Sequence, residues 1–406
     1  MNLGEAHLTY CTNIHAGETW PDTFSALQFN FPVIKAQLSP NEPMGIGLRL
    51  SNIASIDLLN DEIYLEEFQQ WLTTHDAYVF TMNGFPYGNF HHTRVKDQVH
   101  APDWTTDDRL DYTLRLFDIL AKLLPKGMEG GISTSPLSYK PWFAGSDERE
   151  EIKNKATLNI IKVAIALYRI HETTGVTLHL DIEPEPDGFL ESGEEFITWF
   201  ENDLLANGIV MLAADLNLTP AEAETAIKQH IRLCYDVCHF AIGYEPHGEI
   251  IDQLLEKGIK VGKIQISAAL KAALPSVPEE REPVSLALSK FTESTYLHQV
   301  IAKTKSGQLI RYPDLPEALA DSQNPEVTEW RAHFHVPIFA EDMGLVKSTQ
   351  ADIVEVLDKF KSHPFTQHLE VETYTWEVLP DELKVPLTQS ITRELDWVIK
   401  RLVSYE

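Results

Sequence analysis

Three cysteines in 406 residues, Cys11, Cys234 and Cys238, are too few for a disulfide framework and fit a reducing compartment. Positive charge is scarce: 33 Lys and Arg face 61 Asp and Glu, for a net charge of −28. A surface that negative repels phosphate backbones and anionic lipid heads at long range, which argues against a nucleic-acid partner. No run of eighteen apolar residues occurs, so no membrane-spanning segment is expected. The first residues carry Glu5 and His7 but neither a basic start nor an apolar core, so a secretory signal is not expected and the expected location is the cytoplasm. Apolar material is plentiful, with 43% hydrophobic and 10% aromatic residues, enough to fill the core of one large domain.

Short apolar runs bounded by turn residues alternate with stretches of helical period, the pattern of parallel β/α units. Strands are expected at 8–15, 45–51, 77–83, 130–136, 176–183, 231–239, 259–267 and 369–376. Helices are clearest at 107–124, 150–173, 193–206, 220–231, 350–360 and 388–402, with Thr219-Pro220 reading as an N-cap followed by an N1 proline. Eight strands each followed by a crossover predict an α/β fold, a (β/α)8 TIM barrel forming a single domain over 1–406. A doubly wound open sheet with a second domain is the alternative. The rhythm breaks at 270–330, where prolines, a charged EEREP run and a hairpin-like stretch predict an insertion over the C-terminal barrel face.

In such a barrel the functional groups sit at the C-terminal strand ends. The fifth strand ends in Glu183-Pro184, the sixth carries Asp236 three residues before His239, the seventh carries Gln265 and the eighth Glu372. Three carboxylates and an amide carbonyl at one barrel mouth make an oxygen site of charge about −3, unstable when partly enclosed unless a divalent cation neutralises it. One ion is expected at Glu183, Asp236, Gln265 and Glu372. Oxygen ligands favour Mn²⁺ or Mg²⁺, while His239, His333 or His335 would shift the preference toward Zn²⁺ or Co²⁺. Glu185 and Glu370 share face parity with the favoured glutamates and are the competing choices. By the same parity Asp181 and Lys263 point into the barrel and are expected to pair beneath the site. His15 ending the first strand, Asn83 ending the third, and His333 with His335 on one face are expected to hold substrate.

The four strand ends resemble the xylose-isomerase-like barrels, a superfamily of sugar and hydroxy-ketone isomerases and epimerases. The resemblance implies that Glu183 and Glu372 exchange a proton with an α-hydroxy carbonyl chelated to the cation, and that His239 helps hold it. A narrower likeness lies in LTYCTNIHAGETW at 8–20, NGFPYGNF at 83–90 with Lys96 and Pro102-Asp103-Trp104, and AHFHVPIF at 332–339. These are similar to the EboE-type metabolite traffic proteins, which implies a small-molecule metabolite bound for export and a membrane protein of the same pathway as partner. Two other readings stay open: a metal-dependent hydrolase of a small phosphoester using several histidines, and a barrel that binds and hands over a metabolite without catalysis.

Overall fold

In a computed structural model, which describes residues 1–403, the eight expected parallel strands form one barrel. They are β1 (His7–Tyr10), β2 (Met44–Arg49), β3 (Ala77–Asn83), β4 (Gly130–Thr134), β5 (Leu178–Ile182), β6 (Ile231–Asp236), β7 (Val261–Ile266) and, after an intervening second sheet, β13 (His368–Val371). Neighbours follow the order β1-β13-β7-β6-β5-β4-β3-β2, and a parallel bridge between Cys11 and Gly47 closes the ring from β1 to β2. Strands such as β2, β6 and β7 are buried along their whole length, as a parallel sheet wrapped in helices requires.

The helices stop and start where local chemistry dictates. Helix Asp107–Leu123 is capped by the Thr106 hydroxyl, which accepts from the Arg109 amide. Thr219 and Glu222 form a reciprocal capping box on Pro220–His230. Helices Trp20–Leu38, Asn52–Asn60 and Glu62–Thr74 were not expected from the sequence; the first contains Pro32, and their apolar residues sit against the barrel in short, irregular stripes. Among the described residues no single helix is long and apolar enough to cross a membrane.

The second sheet is antiparallel and runs from 268 to 348, longer at both ends than the 270–330 insertion expected. It comprises β8 (Ala268–Ala273), β9 (Val300–Thr304), β10 (Leu309–Tyr312), β11 (Val327–Val336) and β12 (Lys347–Ser348), in the order β10-β9-β11-β8-β12. Only Ser267 separates β7 from β8, so the chain leaves the barrel wall directly into this sheet. A register shift in β11 between Ala332 and His335 marks where the strand bends over the barrel mouth.

The barrel interior corrects one expectation. Lys263 does not pair with Asp181; its ammonium lies 2.6 Å from Glu370 Oε2 and donates to Ser133 Oγ and the Met82 carbonyl, all buried. Glu370 reaches it because Gly47 across the barrel has no side chain: a Cβ there would collide with Glu370 Oε1. Asp181 bonds instead to its strand neighbour His179, 2.6 Å from the ring Nδ1, in the space left by Gly131 and Gly262. Replacing one partner of so buried a pair strands the other as an uncompensated charge. Lys263→Met is expected to cost about 3–5 kcal/mol. Lys263→Met combined with Glu370→Leu should recover much of it, and denaturant unfolding of both variants checks this.

Candidate active site at the barrel mouth

Glu183 and Glu372 follow the last residues of β5 and β13 by one position, and Asp236 is the last residue of β6. One carboxylate oxygen from each lies within 4.8 Å of the other two, and all three side chains are buried. The turn after β6 explains the Asp236 geometry: Oδ1 caps helix Val237–Ile242, accepting from the Cys238 amide at 2.8 Å and from Ser267 Oγ at 2.6 Å. That leaves Oδ2 toward the cluster. Glu372 is held by amides, with Asn13 and Asn83 donating to Oε1 at 2.7 and 2.9 Å and Gln265 donating to Oε2. Glu183 Oε2 has no hydrogen-bond partner.

The electrostatics follow from this packing. Burial pushes the Glu183 carboxyl well above its ordinary range, and the neighbouring Glu372, Asp236 and Glu185 push it further. Burial raises Glu372 to about 8, Asp236 and Glu370 add to the shift, and Lys263 and the Gln265 amide oppose it. An imidazole stands beside the cluster: His239 Nδ1 is 3.7 Å from Glu183 Oε1 and its Nε2 is 3.8 Å from Asp236 Oδ2.

Three imidazoles gather above the carboxylates. His239 Nδ1 faces the Pro184 carbonyl at 2.9 Å, His333 Nδ1 faces Gln299 Oε1 at 3.0 Å, and His335 Nδ1 faces the Glu372 carbonyl at 3.0 Å. Each Nδ1 therefore carries the proton, since each partner is an acceptor; Gln299 is oriented by its own donation to the Pro186 carbonyl. The His239 and His333 Nε2 atoms, both left as acceptors, stand 3.1 Å apart, and His335 Nε2 has no partner. Burial holds His333 well below the ordinary imidazole value and His335 down at about 4.

A cavity opens beside these groups. Of the residues expected from the sequence, Glu183, Glu372, His239, His333 and Asn83 line it. Asp236 and Gln265 lie below, bonded into the cluster. Gln265 presents its amide nitrogen to Glu372 and Asp236 while its oxygen accepts from Cys234, so the amide would have to turn over to offer a cation its oxygen. His335 packs behind His333, with its ring against Tyr374. His15 is not brought to the site. The chain leaves β1 through the turn Thr12–Ile14, which carries the ring back against the Tyr10 hydroxyl at 3.0 Å. His298 also stays away, with both nitrogens engaged by Glu293 and the His333 carbonyl. Arg49 is committed to Glu18 and to the Gly17 and Gly88 carbonyls.

The cavity also contains Glu185 and His100, 2.8 Å apart, together with Gln299, Tyr296 and Tyr374. The parity of Glu185 with Glu183 was a sequence signal for the first. Nothing local marks His100 or Gln299, which reach the mouth only through the fold of their loops.

No protein family matches the chain by sequence, and no curated protein does. Solved structures resemble it in architecture. A zinc-binding IolI protein aligns over 98% of this chain and 100% of its own, at 12% identity and a TM-score of 0.46. A xylose isomerase-like TIM barrel protein from Mycobacterium smegmatis in complex with magnesium aligns over 96% and 90%, at 10% identity and 0.47. A putative sugar phosphate isomerase/epimerase from Anabaena variabilis aligns over 98% of both, at 13% identity and 0.47. The structural neighbours are thus xylose isomerase-like barrels. The narrower likeness to metabolite traffic proteins has no counterpart among these comparisons.

The raised Glu372 value carries a sign. Between its ordinary value of 4.5 and its folded value of about 8, the folded state binds more protons than the unfolded one. Stability of the chelator-treated protein therefore falls as pH rises through that window. Glu372→Gln should unfold later than the wild type at about pH 9 and converge with it near pH 5. Thermal unfolding across pH checks this, and an unchanged profile would refute it.

Proposed function

We propose that this barrel is a divalent-metal-dependent isomerase or epimerase of a small α-hydroxy carbonyl compound. The observation that carries the reading is the convergence of Glu183, Asp236 and Glu372, three buried carboxylates beside an open cavity. Such a group without a cation is strongly unfavourable, and the unpartnered Glu183 Oε2 is the atom a ligand would satisfy. Glu183, Asp236 and Glu372 fit a hard or borderline ion such as Mn²⁺, Mg²⁺ or Zn²⁺, with Gln265 joining if its amide turns over. When bound, the ion polarises a carbonyl oxygen and makes the adjacent C–H more acidic.

The chain's own residues supply the rest. Glu183, which lines the cavity, is placed to take a proton from the substrate carbon through the oxygen that the cation does not engage. Glu372 is the second acid lining the cavity and is placed to return the proton. Asn13 and Asn83 fix the Glu372 carboxyl in place, so the two acids keep their separation while a proton moves. His239, with Nδ1–H anchored to the Pro184 carbonyl, offers Nε2 to a substrate hydroxyl. The motif likeness to metabolite traffic proteins supports placing the reaction on a route toward export, with a membrane-embedded protein receiving the product.

One observation favours a second reading. Two imidazole Nε2 acceptors 3.1 Å apart repel unless a proton or a cation lies between them. The Nδ1–H to carbonyl arrangement of His239, His333 and His335 is the one that orients metal-ligating histidines. A second ion there would make a multinuclear site suited to hydrolysis of a small phosphoester.

Plasma mass spectrometry of the purified protein beside Asp236→Ala and Glu183→Ala separates the readings. About one equivalent of metal in the wild type, lost in both variants, is expected for the isomerase. Two equivalents, with one surviving until His333 is replaced, would favour the hydrolase. No metal at all would leave only a metabolite-binding role. With a turned-over substrate in hand, Glu372→Gln should lower kcat by about 10²–10⁴-fold with little change in KM.

A further inference from the structure

The cavity beside the carboxylates has two unlike halves. Its floor is the acid and imidazole cluster. Its walls are Phe85, Phe90, Val95, Val99, Leu297 and Tyr374, contributed by the loops after β3 and β13 and by the second sheet's approach to β9. The wall is an ordered aromatic surface: Phe90, Tyr296 and Tyr374 stand with ring centroids 5.0 to 5.3 Å apart, each pair tilted or edge-on.

Most polar groups reaching this half are already engaged, His100 Nε2 with Glu185 among them, while His100 Nδ1 has no partner. Lys96 lies 2.6 Å from Asp314, and Gln299 bonds at both ends, to His333 and to the Pro186 carbonyl. The Asn13 and Asn83 amide nitrogens belong to Glu372, and Asn83 Oδ1 accepts from the Phe85 amide. Asn13 Oδ1 is left without a partner, but it sits at the floor beside Glu372. A polyol chain laid along Phe90, Val95, Val99 and Leu297 would bury hydroxyls against side chains that offer no partner, and each such hydroxyl is penalised. An apolar group there gains by leaving water, and an aromatic one also meets ring edges and faces at favourable spacing.

We propose that the substrate is an α-hydroxy carbonyl compound bearing an apolar substituent of about phenyl size, which lies against the Phe90, Tyr296 and Tyr374 rings, and that free sugars are poor ligands. This rests on the metal-dependent reading above for the oxygen-bearing end of the molecule and on the wall alone for the other end.

Calorimetry on the full chain, loaded with Mn²⁺ and again after chelation, tests both ends separately. The probes are 2-hydroxyacetophenone and 1,3-dihydroxyacetone, which share the hydroxy-ketone and differ in the ring. The expected result is about ten-fold or tighter binding of the aryl compound, because burying a ring of that size is worth at least one decade. Val99→Ser and Leu297→Ser, both half-buried positions at the cavity edge, should each narrow that ratio severalfold. Equal binding of the two probes, tighter binding of dihydroxyacetone, or no binding of either would overturn the proposal. An aryl preference that persists with affinities unchanged by chelation would uphold the wall while removing the cation from the reading.

Discussion

Three carboxylates share one small space at the top of this barrel, and most of the surrounding structure answers to that constraint. Glu183, Asp236 and Glu372 are buried with no lysine or arginine ion-paired to them among the described residues. Like charges that close, in a medium of low effective dielectric, repel strongly, and the cluster persists because the framework around it leaves no cheap escape. Asn13, Asn83, Gln265 and Ser267 supply the donors that hold the oxygens in place. One layer lower, Lys263 pairs with Glu370 and offsets the charge that this acid adds beneath the cluster. Local consistency is given up at the site and recovered in the β/α frame that carries it, a pattern expected where a fold serves chemistry.

The second sheet is the other half of the design. Because β7 passes into β8 with only Ser267 between them, the sheet is anchored at the strand that carries Gln265, and β11 lies across the mouth. That position brings His333 and His335 to the acids and Gln299 and Tyr296 to the cavity. The barrel supplies the carboxylates, and the sheet and the loop after β3 supply what stands opposite them, imidazole on one side and apolar surface on the other.

Much of this was legible in the residue order. Short apolar runs bounded by turn residues mark all eight barrel strands, and the strand-end rule singles out Glu183, Asp236, Gln265 and Glu372. The exceptions have definite causes. His15 was expected to end the first strand, but that strand stops at Tyr10 and a 3-10 turn, invisible to periodicity, turns the His15 ring to Tyr10. The Asp181 to Lys263 pairing followed from their shared inward parity, but Gly47 opens a nearer acid, Glu370, to the lysine, and His179 takes Asp181. His100 and Gln299 sit in loops, and no local pattern records where a loop will lie.

By itself, then, the sequence determined the elements that depend on short-range physics: which runs are buried on both faces, where helices are capped, and which polar residues end strands. Charge balance and cysteine scarcity belong to the same class. Only the tertiary structure decided which acids meet, which amide faces them, which histidines turn toward them and which side chains wall the cavity. Those outcomes hang on contacts between residues far apart in the chain, such as Asn13 with Glu372 and His239 with His333. Separations of that kind are set by barrel closure and by the path of the second sheet, and a one-dimensional pattern carries no record of either.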